Sequence, residues 1–345
     1  MKQNCDVLII GQGIAGSCLA YCLLQQGFDV QIITSHTKPN ASKIAGGLMQ
    51  RVSGQYLSLP KLIQDHFDEA VSFYQSLNTF FDAPIISSFP TYRILDESQL
   101  NIWKKKRTLE PYKDYLGQHL QSITVQGKTT HVGVDIYDSY SVNTALLLSL
   151  FSKYFLEKKI LSYHDLTEKD LIIHDNAVQC NTIKANFAIF CIGSCLTEWS
   201  LFNDFPLINS KGDMLSLTLN QAENRILQYD KWLIPIDHNH FKFGSTYSID
   251  PTISPTQSAY NNLLSSLSFL GYNDITIQAI HTAHRCTFSD YKPSMGFLNH
   301  SPRIGIFSGF SSKGFITAPS LAKQWSVLFP NLPNQSLLIN RFTNS

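Results

Sequence analysis

Charge is scarce in this chain and neither sign dominates: 15% of its 345 residues are Asp, Glu, Lys or Arg, with 27 basic residues against 26 acidic ones. A phosphate backbone is bound by concentrated positive charge, so this balance excludes nucleic acid as an expected partner. A disulfide framework is missing too. The seven cysteines (Cys5, Cys18, Cys22, Cys180, Cys191, Cys195, Cys286) form an odd set of irregular spacing, as expected of reduced thiols in a cytosol. Cys18 and Cys22 lie one helical turn apart, as do Cys191 and Cys195, but their neighbours are apolar and no His or acidic partner accompanies them, which argues against a metal centre. No apolar run is long enough to span a bilayer. The stretch Val7–Leu24 is broken by three glycines and lacks a small-residue cleavage pattern, so it reads as strand, turn and helix rather than a signal peptide. Repeats, low-complexity tracts and linkers are absent as well. A cytoplasmic globular protein without a membrane span is the expectation.

What is present is apolar and aromatic. Hydrophobic residues make up 43%, with 22 Phe and 15 Tyr, and the length exceeds that at which one core stops growing. The chain opens with Cys5–Ile10, an apolar run suited to a buried parallel strand, and Gly27–Thr34 is a second after an intervening helix. From Pro60 to Phe81 apolar residues recur at helical spacing. Short strands are expected at Thr91–Leu95 and Ile123–Gln126, around a basic helical stretch at Lys104–Arg107 that reads as a solvated face. A helix over Ser141–Lys159 and a buried strand over Lys184–Ile192 return the chain to the first sheet. Met214–Leu219, Trp232–Ile236 and His240–Thr246 follow without crossover helices, as in an antiparallel sheet. A helix over Pro255–Leu270, strands at Ile275–His284 and Ile304–Ser308, and a helix over Thr317–Leu328 close the chain. The expected fold is α/β: a Rossmann-type domain (1–55, 130–205 and 285–345) interleaved with an α+β domain built on a mainly antiparallel sheet (56–129 and 206–284).

Gly11-Gln12-Gly13-Ile14-Ala15-Gly16 follows a strand and opens a helix, the context in which GxGxxG signals a dinucleotide site. Gly11 permits the tight turn, Gly13 lets backbone approach a pyrophosphate, and Gly16 permits close packing of helix on strand, while the amides of Ile14 and Ala15 open the helix N-terminus. The acidic residue expected about 20 positions on, at the tip of the second strand, is replaced by Thr34, followed by Ser35. A hydroxyl bonds ribose more weakly than a carboxylate does.

Further along, Ala41-Ser42-Lys43-Ile44-Ala45-Gly46-Gly47-Leu48 follows the second strand, and here the chain resembles the D-amino acid oxidase superfamily, which includes glycine oxidase and sarcosine oxidase. The resemblance implies FAD, with Ser42 and Ala45–Leu48 wrapping the pyrophosphate and the flavin ring. It continues at Cys191-Ile192-Gly193, similar to that family's strand-end glycine near the pyrophosphate, and at Lys211-Gly212-Asp213, similar to the entry into its substrate-domain sheet. Tyr247 follows a Gly-Ser-Thr turn like the family's. Ser308-Gly309-Phe310-Ser311-Ser312-Lys313-Gly314, leading through Phe315 into a helix, looks like the loop whose amides face the flavin pyrimidine edge.

The activity so implied is oxidation of the C–N bond of a small amine or amino acid, with electrons passing to oxygen or another acceptor. Arg285 occupies the place of a carboxylate-binding arginine, and its fork suits a carboxylate; the alternative is an ion pair with Asp290. Arg51 is a second cationic candidate. Tyr247 is expected to line the pocket, and Lys313 with the Ser311–Gly314 amides to stabilise charge near the flavin. Cys286 is followed too soon by an acidic residue to match the family's covalent attachment, so FAD is expected to be non-covalent. His281 and His284, three apart on a strand, face opposite sides and share no metal; His238–His240 reads as a polar hairpin. Two other readings stay open: a flavin dehydrogenase acting on a 2-hydroxy acid or another C–O bond, and a nucleotide-binding protein without catalysis.

Overall fold

The computed structural model of the chain describes residues 4–125, 129–220 and 223–329. Tertiary contacts divide it into two compact units. The first comprises residues 4–43, 145–210 and 284–329. Its centre is strand β1 (Asn4–Ile10), where Val7, Leu8 and Ile9 have no exposed surface. A strand covered on both faces has no polar alternation, which is why the opening run is uninterrupted. Helix α1 (Ile14–Gln25) leads to β2 (Val30–Thr34), which pairs parallel with β1. Strand Leu161–Tyr163 lies parallel beyond β2, and Ile183–Phe190 lies parallel on the other side of β1, followed by Ser301–Ser308. Antiparallel pieces at Leu171–Ile173, Val178–Cys180 and Ser294–Leu298 complete this eight-stranded sheet.

Parallel strands share one carboxyl edge, and that edge is where such sheets bind ligands. The edge is held rigid by aromatic packing. Phe190 meets Trp199 and Phe202 edge-on at 4.8 and 5.0 Å, and Trp325 is buried between Phe297 and Phe307. Buried side chains of this size contribute about 2–3 kcal/mol each by area alone.

The second unit comprises residues 44–125, 129–144, 211–220 and 223–283. Its sheet runs in the order Ile275–Phe288, Leu207–Leu219, His240–Gly244, Trp232–Pro235, Ile226–Gln228, Thr91–Ile94, Thr129–Ile136, Gln121–Val125. The three strands expected between Met214 and Thr246 pair antiparallel, and the short Ile226–Gln228 joins them to Thr91–Ile94 by a parallel pair. Helix Lys61–Phe81 buries Ile63, Phe67, Ala70, Tyr74 and Leu77 on one face, as its spacing predicts. Helix Gln257–Leu270 starts on the Thr256 hydroxyl, which accepts from the Ala259 amide at 3.1 Å, and stops at Gly271.

Several boundaries differ from the sequence reading, and residues 206–210, expected in the second domain, fall in the first unit. Residues 44–55 and 130–144 belong to the second unit, not the first. Leu48–Met49 pairs with Tyr140–Val142, which pairs with Ile86–Ser88, and Thr129–Ile136 pairs with Thr91–Ile94, so strand hydrogen bonds tie both segments there. The helix expected over Ser141–Lys159 covers only Thr144–Glu157, because the amides of Val142 and Asn143 are taken by Gly47 O and Ile85 O. The last helix begins at Gly314 rather than Thr317 and carries Pro319 inside it. Of the strand expected at Ile123–Gln126, Gln126 lies outside the described residues.

Candidate active site

In the first unit the glycine-rich loop is made by contacts that exclude side chains. Gly11 has φ +102, and a Cβ there would stand 2.7 Å from Cys191 O; one on Gly16 would stand 1.9 Å from Gly11 O. No side chain fits either place. Gly13 caps α1 with no side chain of its own, and the first turn of α1 holds no acidic residue, so no carboxylate of the helix offsets the partial positive charge at its N-terminus. The Ser42 hydroxyl accepts from the Ile14 amide at 3.1 Å and would lie 3.2 Å from a Cβ on Gly13, which places a donor hydroxyl where a pyrophosphate would approach. Ala15 is buried behind this turn.

Gln12 and Asn40 fix the loop from behind. The Gln12 side chain is buried, donating to Leu148 O at 3.4 Å and accepting from the Ser152 hydroxyl at 2.9 Å, and Asn40 Nδ2 donates to Gln12 O at 3.3 Å. Neither residue stood out in the sequence, since their partners lie far along the chain. Gly193 turns the chain after Ile183–Phe190, with φ +58 and open space where its Cβ would be. These residues fit the pyrophosphate of a dinucleotide. Thr34 is used differently from expectation: its hydroxyl accepts from the Gln12 amide at 3.2 Å and so serves the loop. The Ser35 hydroxyl accepts from the amides of Thr37 and Lys38 and donates to Asp165.

The loop before the last helix also belongs to the first unit. Thr287 bridges Phe310, and the Phe310 ring packs edge-on against Phe307 at 4.8 Å, which sets Gly309–Ser312 against the sheet. Ser311–Lys313 forms one helical turn running into Gly314–Leu328, where Gly314 and Phe315 are buried. Lys313 caps that helix, its carbonyl accepting from the Thr317 hydroxyl at 3.0 Å, and burial lowers its ammonium pKa. Arg285 is half-buried on strand Ile275–Phe288, beside Cys286. Cys286 is buried, its sulfur accepting from the Ser308 hydroxyl at 3.8 Å, and burial pushes its thiol up to about 11. A thiol held protonated is a poor nucleophile.

In the second unit the 45–48 segment is clamped. A Cβ on Gly46 would stand 2.5 Å from the Trp232 ring, and one on Gly47 would stand 2.0 Å from Val142 O. Leu48 pairs with Ser141. Lys242, on the central strand His240–Gly244, donates to Ala45 O at 2.6 Å and to Thr144 Oγ1 at 2.9 Å, and burial lowers its pKa to about 8. Ser216 sits opposite Lys242 in register and its hydroxyl meets His281 Nε2 at 2.9 Å, so His281, Ser216 and Lys242 cross one face of the sheet in a row. His281 is lowered by burial and then by the Lys242 charge. Lys242 and Trp232 were missed: a strand reading HFKFG suggests an exposed lysine, and only the packing of Ala45 over it shows otherwise.

Arg51 is corrected from substrate candidate to framework. It is buried, donating to Asp138 at 2.6 Å, to Asp68 and to Gln64, with its guanidinium over the rings of Phe67 and Tyr115. Three of its five N–H donors are engaged by these framework residues. Tyr247 stands exposed after a turn that Thr246 ties to buried Asp213 at 2.9 Å, while buried Lys211 holds Asp250, Thr252 and Ser254 O. Among the described residues no group of three or more His, Cys, Asp or Glu could hold a metal, and no helix is long and apolar enough to cross a membrane.

The family described as FAD dependent oxidoreductase matches residues 6–326. The chain belongs to that family. As a member of this D-amino acid oxidase group of flavoproteins, it has the mixed α/β architecture of its structural neighbours. It is similar to the iminodiacetate oxidase of Chelativorans sp. BNC1, with a TM-score of 0.78 at 16% identity over 97% of this chain and 98% of that one. It is similar to glycine oxidase of Bacillus cereus (0.76, 16%, 97% of each chain) and to L-proline dehydrogenase of P. horikoshii (0.76, 14%, 98% and 96%). By sequence it resembles the tRNA 5-methylaminomethyl-2-thiouridine biosynthesis bifunctional protein MnmC of Acinetobacter baylyi, 23% identical over 337 residues that cover 90% of this chain. The chain spans about half the length of that curated relative, 50%. FAD is accordingly the cofactor of this flavoprotein, and the glycine loop, Ser42 and Gly193 are the residues that fit it.

Proposed function

We propose that this flavoprotein oxidises the C–N bond of a small amine or amino acid. The observation that carries the reading is the likeness of fold along nearly the whole chain to proteins named for iminodiacetate, glycine and proline, each an amine next to a carboxylate. When bound, FAD supplies the acceptor for a hydride. The chain's own task is to hold the amine as its neutral form with the α C–H turned to that acceptor. Arg285 anchors the carboxylate through a bidentate fork. Lys313 and the amides of Ser311, Ser312 and Gly314 would offer positive charge and donors to the cofactor's pyrimidine edge, the Lys313 amide itself being taken by Phe310 O. The imine product hydrolyses in water to an oxo-acid or aldehyde, and the electrons leave to oxygen or to another acceptor.

The test is an anaerobic bleaching screen of the FAD-loaded protein with amino acids, N-substituted amino acids, amines and 2-hydroxy acids. Bleaching by the nitrogen compounds alone supports the proposal; bleaching by hydroxy acids alone replaces it with a C–O dehydrogenase. Arg285→Leu should raise KM for a carboxylate-bearing amine by on the order of a hundredfold, the loss expected for a charge-paired hydrogen bond, and leave KM for an uncharged amine unchanged. An unchanged KM for both removes Arg285 from the site. The likeness to the tRNA-modifying relative supports a second reading, the same chemistry on an amine carried by a tRNA nucleoside. Bleaching by undermodified tRNA but by none of the small molecules would establish it.

A further inference from the structure

The tip of β2 lacks the carboxylate that usually receives the adenosine ribose, and Thr34 in its place is engaged with the Gln12 amide. A carboxylate nonetheless reaches that tip from a neighbouring strand. Leu161–Tyr163 runs parallel to β2 with Thr34 opposite Tyr163, so the residues leaving its carboxyl end arrive over the end of β2. His164 confirms the register, its amide donating to Thr34 O at 2.9 Å. The next residue, Asp165, is exposed, and its two oxygens accept from the hydroxyls of Ser35 and Thr37, the second at 2.9 Å.

We propose that Asp165 is the ribose-binding carboxylate of this protein, supplied from the 161–163 strand instead of the tip of β2, with Ser35 and Thr37 orienting it toward the adenosine half of FAD. The inference rests on FAD being the cofactor. Each carboxylate oxygen has a second acceptor position after its hydroxyl partner is counted, so two remain for the 2′- and 3′-hydroxyls of a ribose. The Ser35 hydroxyl first, then that of Thr37, hold the carboxyl below its ordinary range, so it is an anion and a strong acceptor at neutral pH. Ser35 is itself fixed by the amides of Thr37 and Lys38, and Lys38 donates to Glu198 at 2.5 Å. The acceptor pair is thus set before the ligand arrives. Asp165 is 130 positions from Ser35, which is why a search confined to the end of β2 does not find it.

The experiment compares two ligands on apoprotein by quenching of flavin fluorescence: FAD, and a deoxy FAD whose adenosine lacks both the 2′- and the 3′-hydroxyl. Asp165→Asn should weaken FAD binding by on the order of ten- to a hundredfold, as for loss of charge-assisted hydrogen bonds. The same variant and the wild type should bind the deoxy analogue within a few-fold of each other. Asp165 is exposed, so the fold should survive, and circular dichroism of the apoprotein checks it. FAD affinity unchanged in Asp165→Asn, or weakened equally for both ligands, overturns the assignment. A wild type that binds neither ligand overturns the cofactor reading and this inference with it.

Discussion

Lys242 offers the sharpest quantitative test of how the second unit is built. Its ammonium is buried against Ala45 O and Thr144 Oγ1 and titrates at about 8, against 10.5 for a free lysine. A lysine whose folded pKa is depressed is penalised while charged. Between those two values the unfolded chain holds the proton more firmly than the folded one, so the lysine's contribution to stability rises with pH through that window. Integrated from about pH 7 to about pH 10, the gain is roughly 2–3 kcal/mol. Lys242→Met has no such proton. It loses two donated hydrogen bonds, but Ala45 O keeps the Thr144 hydroxyl, which donates at 3.0 Å. Urea unfolding of apoprotein followed by intrinsic fluorescence should therefore show the wild type gaining on the variant by roughly 2–3 kcal/mol between these pH values. A difference between the two proteins that stays flat refutes the buried, depressed lysine and with it the clamp on the 45–48 segment.

Two further substitutions test the rest of the assignment. Gly16→Ala puts a methyl group 1.9 Å from Gly11 O; the purified variant should carry little or no flavin by absorbance near 450 nm, while a fully loaded variant would mean the turn can open. Arg51→Met removes a buried guanidinium from partly exposed Asp138 and largely exposed Asp68 and should cost roughly 1–2 kcal/mol of stability with KM unchanged in the flavin-loaded protein. A raised KM at undiminished stability would return Arg51 to the substrate.

The dinucleotide half was legible because its chemistry is local. Gly11, Gly13 and Gly16 are set by the backbone demands of one turn between one strand and one helix, and Val7–Ile9 are apolar because a central parallel strand has no wet face. Adjacent residues carry that information whatever the rest of the chain does. The antiparallel strands between Met214 and Thr246 were legible for the same reason, since turn residues and strand length fix neighbouring pairs. Residue roles that depend on charge were not legible. Arg51 looks like a free cation beside the flavin-wrapping segment until Asp68 and Asp138, 17 and 87 positions away, close on it. Lys242 reads as solvent-facing until Ala45 packs over it from 197 positions away. The domain boundary moved by a dozen residues because Leu48–Met49 finds its strand partner at Tyr140–Val142. The sequence by itself determined the glycine-bearing strand, turn and helix of the first layer and the antiparallel character of the second sheet. Which cations are spent on the framework, and which carboxylate stands over β2, only the tertiary structure decided, because a hydrogen bond or a desolvated charge depends on neighbours in space that no local pattern of residues encodes.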